Sequence, residues 1–201
     1  MSIILGIDTA MTGSSVAITR NNEVIASITC TEKGVQASQL LLHIEDCLKQ
    51  ASLSYHNINK IAVCIGPGGF TGIRVGLAAA RGIALSAEKP IVGFSSLEVM
   101  LYGASANSIA ILNAGRGQYY IQHSDTEDII TIEEAALEQS LENENKIISD
   151  AQLDIEQKVT IHNPQDNASI LCRLAQSHKG RAPEPLYVRA PDAKIQKKLL
   201  S

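Results

Sequence analysis

A chain of 201 residues that is 45% apolar can form one or two domains with cores of their own. Its 14 glycines and 6 prolines are near average usage, which excludes collagen-like and low-complexity chains. Lys and Arg number 17 against 21 Asp and Glu, a net charge of -4, and aromatics are 3% with no Trp; this weighs against tight autonomous binding of nucleic acid by clustered cations or an aromatic platform.

In chain order, residues 3–9 read as a buried strand. Residues 14–20 alternate polar and apolar, and Asn21-Asn22 suits the left-handed positions of a tight turn into a third strand over 24–30. A helix follows over 36–51, with Leu40, Leu41, Ile44, Leu48 and Ala51 at helical spacing and Ser38 as its expected cap. Residues 61–65 form a short apolar strand that feeds the run Gly66-Pro67-Gly68-Gly69-Phe70-Thr71-Gly72. A small-residue helix then spans 73–87, a strand 91–94, and a helix capped by Ser95 or Ser96 runs through 102. A β-meander followed by alternating α and β predicts a mixed sheet with helices on its faces. Further on, strands are expected at 109–113, 118–123, 146–149 and 158–161. An acidic helix is expected over 132–141 and a helix over 167–177. The chain then ends in an extended tail over 184–190 and a short basic piece over 194–200. No repeat of fixed period is visible, and the division falls near 104–108, giving lobes 1–104 and 105–201.

The four cysteines, Cys30, Cys47, Cys64 and Cys172, form no C-x-x-C pair; Cys30 and Cys64 sit in apolar, strand-like runs and read as buried reduced thiols of a cytoplasmic protein. The first ten residues lack a basic segment and carry Asp8 early, so no signal peptide is expected, and no apolar run is long enough to span a membrane. The five histidines show no H-x-x-x-H spacing, so no metal site is expected.

The glycine run lies between a strand and a helix, where backbone N–H groups can receive an anion. It lacks the Lys of a P-loop and the third Gly of G-x-G-x-x-G. A nucleotide-facing set of Asp8, Thr9, Gly68, Gly69 and Thr71 therefore stands beside a plainer reading, in which the glycines let backbone pack closely. The small residues Gly76, Ala79, Ala80 and Gly82 leave the same two options for the helix: packing within the domain, or a partner surface.

Three segments together resemble the TsaB (YeaZ) family: Ile4-Leu5-Gly6-Ile7-Asp8-Thr9-Ala10, Gly66-Pro67-Gly68-Gly69-Phe70-Thr71-Gly72-Ile73-Arg74-Val75-Gly76, and Gly93-Phe94-Ser95-Ser96-Leu97. The likeness is strong over about residues 1–103 and thinner beyond, resting there on residues 113–120 and 184–189. It implies an α/β, actin/hexokinase-like (ASKHA) fold of two lobes with the second reduced. It also implies a non-catalytic role as heterodimer partner of TsaD. TsaD transfers a threonylcarbamoyl group, from the adenylate made by TsaC, to N6 of the adenosine 3′ of the anticodon in tRNAs reading ANN codons; the ATPase TsaE completes the machinery. Family members pair with themselves when TsaD is absent and meet tRNA only through the complex. No cofactor of the chain's own is implied, while ATP or ADP with Mg²⁺ is allowed at the complex interface. Carried over, the partner face comprises Ser38, Leu41, Leu42, Glu45, Arg74, Leu77 and Arg81, with no catalytic residue. The chain departs from the family at Gly69, commonly Ser, at Ala37, commonly His, and at Asn113-Ala114-Gly115, commonly D-A-R. Two other functions remain open: an ATP-dependent hydrolase or phosphotransferase using Asp8 and the glycine loop, and a homologue of the M22 glycoproteases.

Overall fold

The computed structural model describes residues 2–11, 13–32, 36–141 and 146–188. β1 (Ile3–Asp8) is buried along its whole length, as a strand covered on both faces must be. It pairs antiparallel with β2 (Ser14–Arg20). β2 turns through Asn21 and Asn22, at φ 50° and 72°, into β3 (Glu23–Cys30). Both central positions take positive φ, the geometry of a two-residue hairpin turn that matches strand twist. Then come α1 (Gln36–Gln50), β4 (Lys60–Cys64), α2 (Phe70–Ala87) and β5 (Ile91–Phe94). The first sheet has the order β3-β2-β1-β4-β5, with β4 parallel to β1 and β5 parallel to β4. α1 begins at Gln36, so Ser38 lies inside the first turn and is not the cap that the sequence suggested. α2 begins at Phe70 rather than 73, because Gly72 and Ile73 are already on its buried face.

The second sheet is built from β6 (Ser108–Gly115), β7 (Gln118–His123), β8 (Ile130–Glu133), β9 (Lys146–Ser149) and β10 (Val159–Ile161). Its order is β10-β9-β6-β7-β8. Three antiparallel strands followed by two parallel ones reproduce the first sheet strand for strand. The repeat is one of topology, which is why no sequence period betrays it. The acidic helix expected over 132–141 is not there. Ile132 belongs to β8 opposite Tyr119, and two single 3-10 turns follow at Glu134–Ala136 and Glu138–Leu141. The buried Leu137 and Leu141 have helical spacing, but they anchor those turns to the second core.

Each half lends a helix to the other. α3 (Ser96–Leu101) follows β5 yet packs on β6, β7 and β9, placing Leu97 and Met100 against Ala110, Leu112 and Ile148. α4 (Asn167–Ser177) follows β10 yet packs on β1, β2 and β4. α1 and α2 cover the opposite face of the first sheet. The alternation along β1 shows it: a Cβ at Gly6 would meet Ala168 of α4 at 2.1 Å, while Ile7 faces Gly76 of α2. α3 is fixed by a capping box, in which Glu98 donates its N–H to Ser95 Oγ (3.0 Å) and accepts the Ser95 N–H on Oε2 (2.5 Å).

Past α4 the chain returns to the first sheet. Arg181 and Gly93 exchange N–H···O bonds of 2.9 Å, and Leu186 donates its N–H to the Ile65 carbonyl at 2.8 Å. Residues 184–188 carry no helix or strand, in keeping with the extended tail expected there, while the basic piece over 194–200 lies outside the described residues. No described helix is long and apolar enough to cross a membrane.

Candidate functional site

The glycine loop joins β4 to α2 through a cis Gly66–Pro67 bond. Close approach demands glycine at Gly68 and Gly72, and at Gly76 further along α2, whereas a Cβ at Gly69 would make only an ordinary contact at 3.6 Å. A Cβ at Gly68 would lie 2.2 Å from the Ala10 carbonyl oxygen, one at Gly72 1.9 Å from that of Thr9, and one at Gly76 2.4 Å from Thr9 Oγ1. The start of α2 is thereby pressed onto the end of β1. Thr9 Oγ1 donates to the Gly72 carbonyl at 2.6 Å, and the Gly69 N–H donates to the Ala10 carbonyl at 2.8 Å. Asp8, Thr9, Gly68 and Gly69 are thus brought together, with Thr71 exposed beside them on the first turn of the helix.

Asp8 is 3% exposed. Its Oδ1 accepts the Ala10 N–H at 2.9 Å, and its Oδ2 accepts from Asn167 Nδ2 at 2.6 Å. Asn167 is also buried, and its Oδ1 faces His162 Nε2 at 2.5 Å. On the other sheet, Asp150 accepts the Asn113 N–H at 3.2 Å. Burial pushes the Asp150 carboxyl above the usual range, against the pull of its backbone hydrogen bonds and of His162. Polar groups from the ends of β1, β6, β9 and β10 therefore converge between the sheets. Both oxygens of Asp8 are already engaged by neutral donors, so the carboxylate is a fixed acceptor whose orientation is set from α4. Neither Asn167, read only as the start of a helix, nor His162, weighed only as a metal ligand, is among the site residues expected from the sequence. Asp8 and Asn167 are 159 positions apart, and no local pattern connects them. Among the described residues, no group of three His, Cys, Asp or Glu could hold a metal ion.

The second candidate surface is the exposed side of α1 and α2. Ser38, Glu45, Arg74 and Arg81 are exposed there, and Leu41 and Leu42 are 54% and 58% exposed. Leu77 departs from the expectation. It is 3% exposed and joins Ile73, Ala80 and Ala84 on the stripe that α2 turns to the core. The structure adds residues that helical spacing did not single out. Phe70 and Leu85 on α2 are 56% and 83% exposed. The Arg74 guanidinium lies 3.6 Å over the Phe70 ring, its Nε–H donates to Tyr187 Oη at 3.2 Å, and Phe70 and Tyr187 stack at 5.7 Å. The tail is therefore clipped to the first turn of α2, and Tyr187 shares that surface.

Two sheets of identical order, with helices exchanged between them and polar strand ends facing each other, define an actin/hexokinase-like (ASKHA) architecture. The family model described as TsaD: tRNA N6-adenosine threonylcarbamoyltransferase matches residues 36–170, about two thirds of the chain. The chain belongs to that family, on its TsaB (YeaZ) side. The Escherichia coli (strain K12) protein named tRNA threonylcarbamoyladenosine biosynthesis protein TsaB is 37% identical over 123 residues, 58% of this chain and 52% of that one. Its namesake in Bacillus subtilis (strain 168) is 29% identical over 150 residues, 73% of this chain and 63% of that one. The match thus spans about half to two thirds of the length of these curated relatives. In fold, the crystal structure of YeaZ from Pseudomonas aeruginosa superposes with a TM-score of 0.73 at 18% identity, covering 93% of this chain and 100% of that one.

Proposed function

We propose that the chain serves tRNA threonylcarbamoyladenosine biosynthesis as the non-catalytic partner of a TsaD-type threonylcarbamoyltransferase, docking through the outer side of α1 and α2. The observation that carries this reading is the apolar surface left open there, formed by Leu41, Leu42, Phe70 and Leu85 among charged neighbours. Large apolar side chains in number on a helix pair mark a protein–protein surface. Family membership supports the rest, because TsaD-type chains are homologous and offer matching helices. A partner that binds only the active arrangement of TsaD shifts its population; a ratio of about 10⁴ in affinity moves an equilibrium from nearly all off to nearly all on. Without TsaD, the same face takes a second copy of this chain. TsaE joins the assembled pair in the cytoplasm, ATP or ADP with Mg²⁺ sits at the interface of the complex, and tRNA is met through the complex.

The test is an omission assay. TsaC, TsaD, TsaE, ATP, threonine, bicarbonate and unmodified tRNA are incubated with and without the chain, and modified adenosine is counted. Product only in its presence is the expected result; equal product without it overturns the role. Leu41→Asp and Arg74→Glu are expected to remove the heterodimer in size-exclusion chromatography while circular dichroism stays unchanged. Heterodimer formed equally well by both variants overturns the interface.

A further inference from the structure

A further cleft lies away from both surfaces described above. It has a volume of about 590 Å³ and lies where the two halves trade helices. Phe94 at the end of β5, Leu101 of α3 and Leu174 of α4 supply an apolar floor, and Tyr102 stands at the rim as a half-open ring. The walls are polar. His178, Lys179 and Arg181 come from the segment after α4, and Gln122, Ser124 and Glu127 from the end of β7 and the turn beyond it.

The donors and acceptors in these walls are unevenly satisfied. Glu98 is fully engaged, with one oxygen on the Ser95 N–H and the other 3.3 Å from Arg181 Nη2. Arg181 also reaches Glu127 at 3.6 Å, but the Glu127 side chain is almost wholly exposed, so an anion in the cleft can displace it at little cost. Lys179 is exposed and has no ion-pair partner among the described residues. Gln122 is 3% exposed; its Nε2–H donates to the Thr126 carbonyl at 3.0 Å, while its Oε1 is buried without a partner. An orphaned buried acceptor is costly, and completing it rewards any ligand that brings an N–H. Gln122 is one of the residues that line the cleft, which places this unsatisfied acceptor at its wall.

We infer that this cleft binds a nucleotide bearing an exocyclic amino group. The phosphate takes Lys179 and Arg181, the base lies on the floor of Phe94, Leu101 and Leu174 beside Tyr102, and its amino group donates to Gln122 Oε1. The volume falls within the range of about 300–1,000 Å³ usual for small-molecule sites. The nucleotide can be free or part of an RNA strand, and the site is separate from the partner face.

The full chain is titrated by calorimetry with AMP, with ribose 5-phosphate and with a short adenosine-containing oligoribonucleotide. Saturable AMP binding is expected, weakened about tenfold or more by Lys179→Glu with the melting temperature unchanged. Gln122→Leu removes the orphaned acceptor. It is expected to weaken AMP while leaving ribose 5-phosphate as it was. If the oligoribonucleotide binds and AMP competes with it, the nucleotide is presented by RNA; if AMP alone binds, it is free. No saturable binding of AMP or oligoribonucleotide at millimolar concentration overturns the inference. So does oligoribonucleotide binding that AMP does not compete with, or AMP binding indifferent to both substitutions.

Discussion

A methyl group added at Gly72 would sit 1.9 Å from the Thr9 carbonyl oxygen, whereas one added at Gly82, on the same helix, meets nothing within 4 Å. Gly72→Ala must therefore push α2 off the end of β1. A loss of about 3 kcal/mol or more is expected from such overpacking against backbone. Gly82→Ala removes only the entropic penalty of a helical glycine, and a gain of about 0.5–1 kcal/mol is expected. Urea unfolding of the two variants checks both signs. The thiols make a second residue-scale prediction. Burial pushes Cys47 up to about 11 and Cys172 up to about 12, and it raises Cys64 as well. The folded state keeps these protons longer than the unfolded chain does. The associated stability is whole below the unfolded value of 9.0 and is lost as pH rises through about 11 and 12. The urea midpoint is expected to fall steeply above pH 9, and the slope should flatten in Cys47→Ala. Cys30 is partly exposed rather than buried as its apolar run suggests, because the end of the edge strand β3 is only half covered; at neutral pH a thiol reagent should label it and should reach Cys47, Cys64 and Cys172 only on unfolding.

Along α2 one turn decides between core and surface. Arg74 and Arg81 point outward, while Leu77 lies on the side of the helix shared with Ile73, Ala80 and Ala84. Leu77→Ala is expected to cost about 2–5 kcal/mol while leaving partner binding per folded molecule unchanged. Leu41→Asp should do the reverse, with stability altered by no more than about 0.5 kcal/mol. Denaturation and heterodimer titration of the two variants side by side separate the roles. At the start of α4, Asn167→Asp places a second carboxylate against Asp8, where the native pair is 2.6 Å apart. Such a pair must share a proton, which raises its folded pKa above the unfolded one. The variant is therefore expected to recover stability as pH falls from 7 toward 4, the opposite of an acid-sensitive ion pair. These elements also show what was legible beforehand. The meander, the Asn-Asn turn and the order strand–loop–helix around the glycine run are dictated by neighbours in sequence and match the structure, apart from the first turn of α2, which takes Phe70, Thr71 and Gly72 out of the loop. The helix expected over 132–141 failed because two leucines at helical spacing serve just as well to pin a pair of 3-10 turns. Leu77 was put on the partner face because spacing alone cannot say which side of a small-residue helix is covered. Asn167 and His162 were beyond reach, since their meeting with Asp8 is created by the second half folding back onto the first.

That folding back governs the molecule as a whole. α4 buries Leu171, Cys172 and Ala175 against the face of the first sheet that α1 and α2 leave open. Residues 1–104 alone would expose that face, and they carry α3 without the sheet it covers. A single cooperative unfolding transition is expected for the full chain, by calorimetry and by circular dichroism alike; two separate transitions would show that the halves stand alone. Equal sheet order together with a traded last helix is the geometry of a swapped homodimer, here contained in one chain. The linker at 102–107 then acts as a tether that keeps two interlocked subunits at high effective concentration. Cutting it should yield two pieces that are unfolded apart and become ordered on mixing, each completed by the helix the other brings.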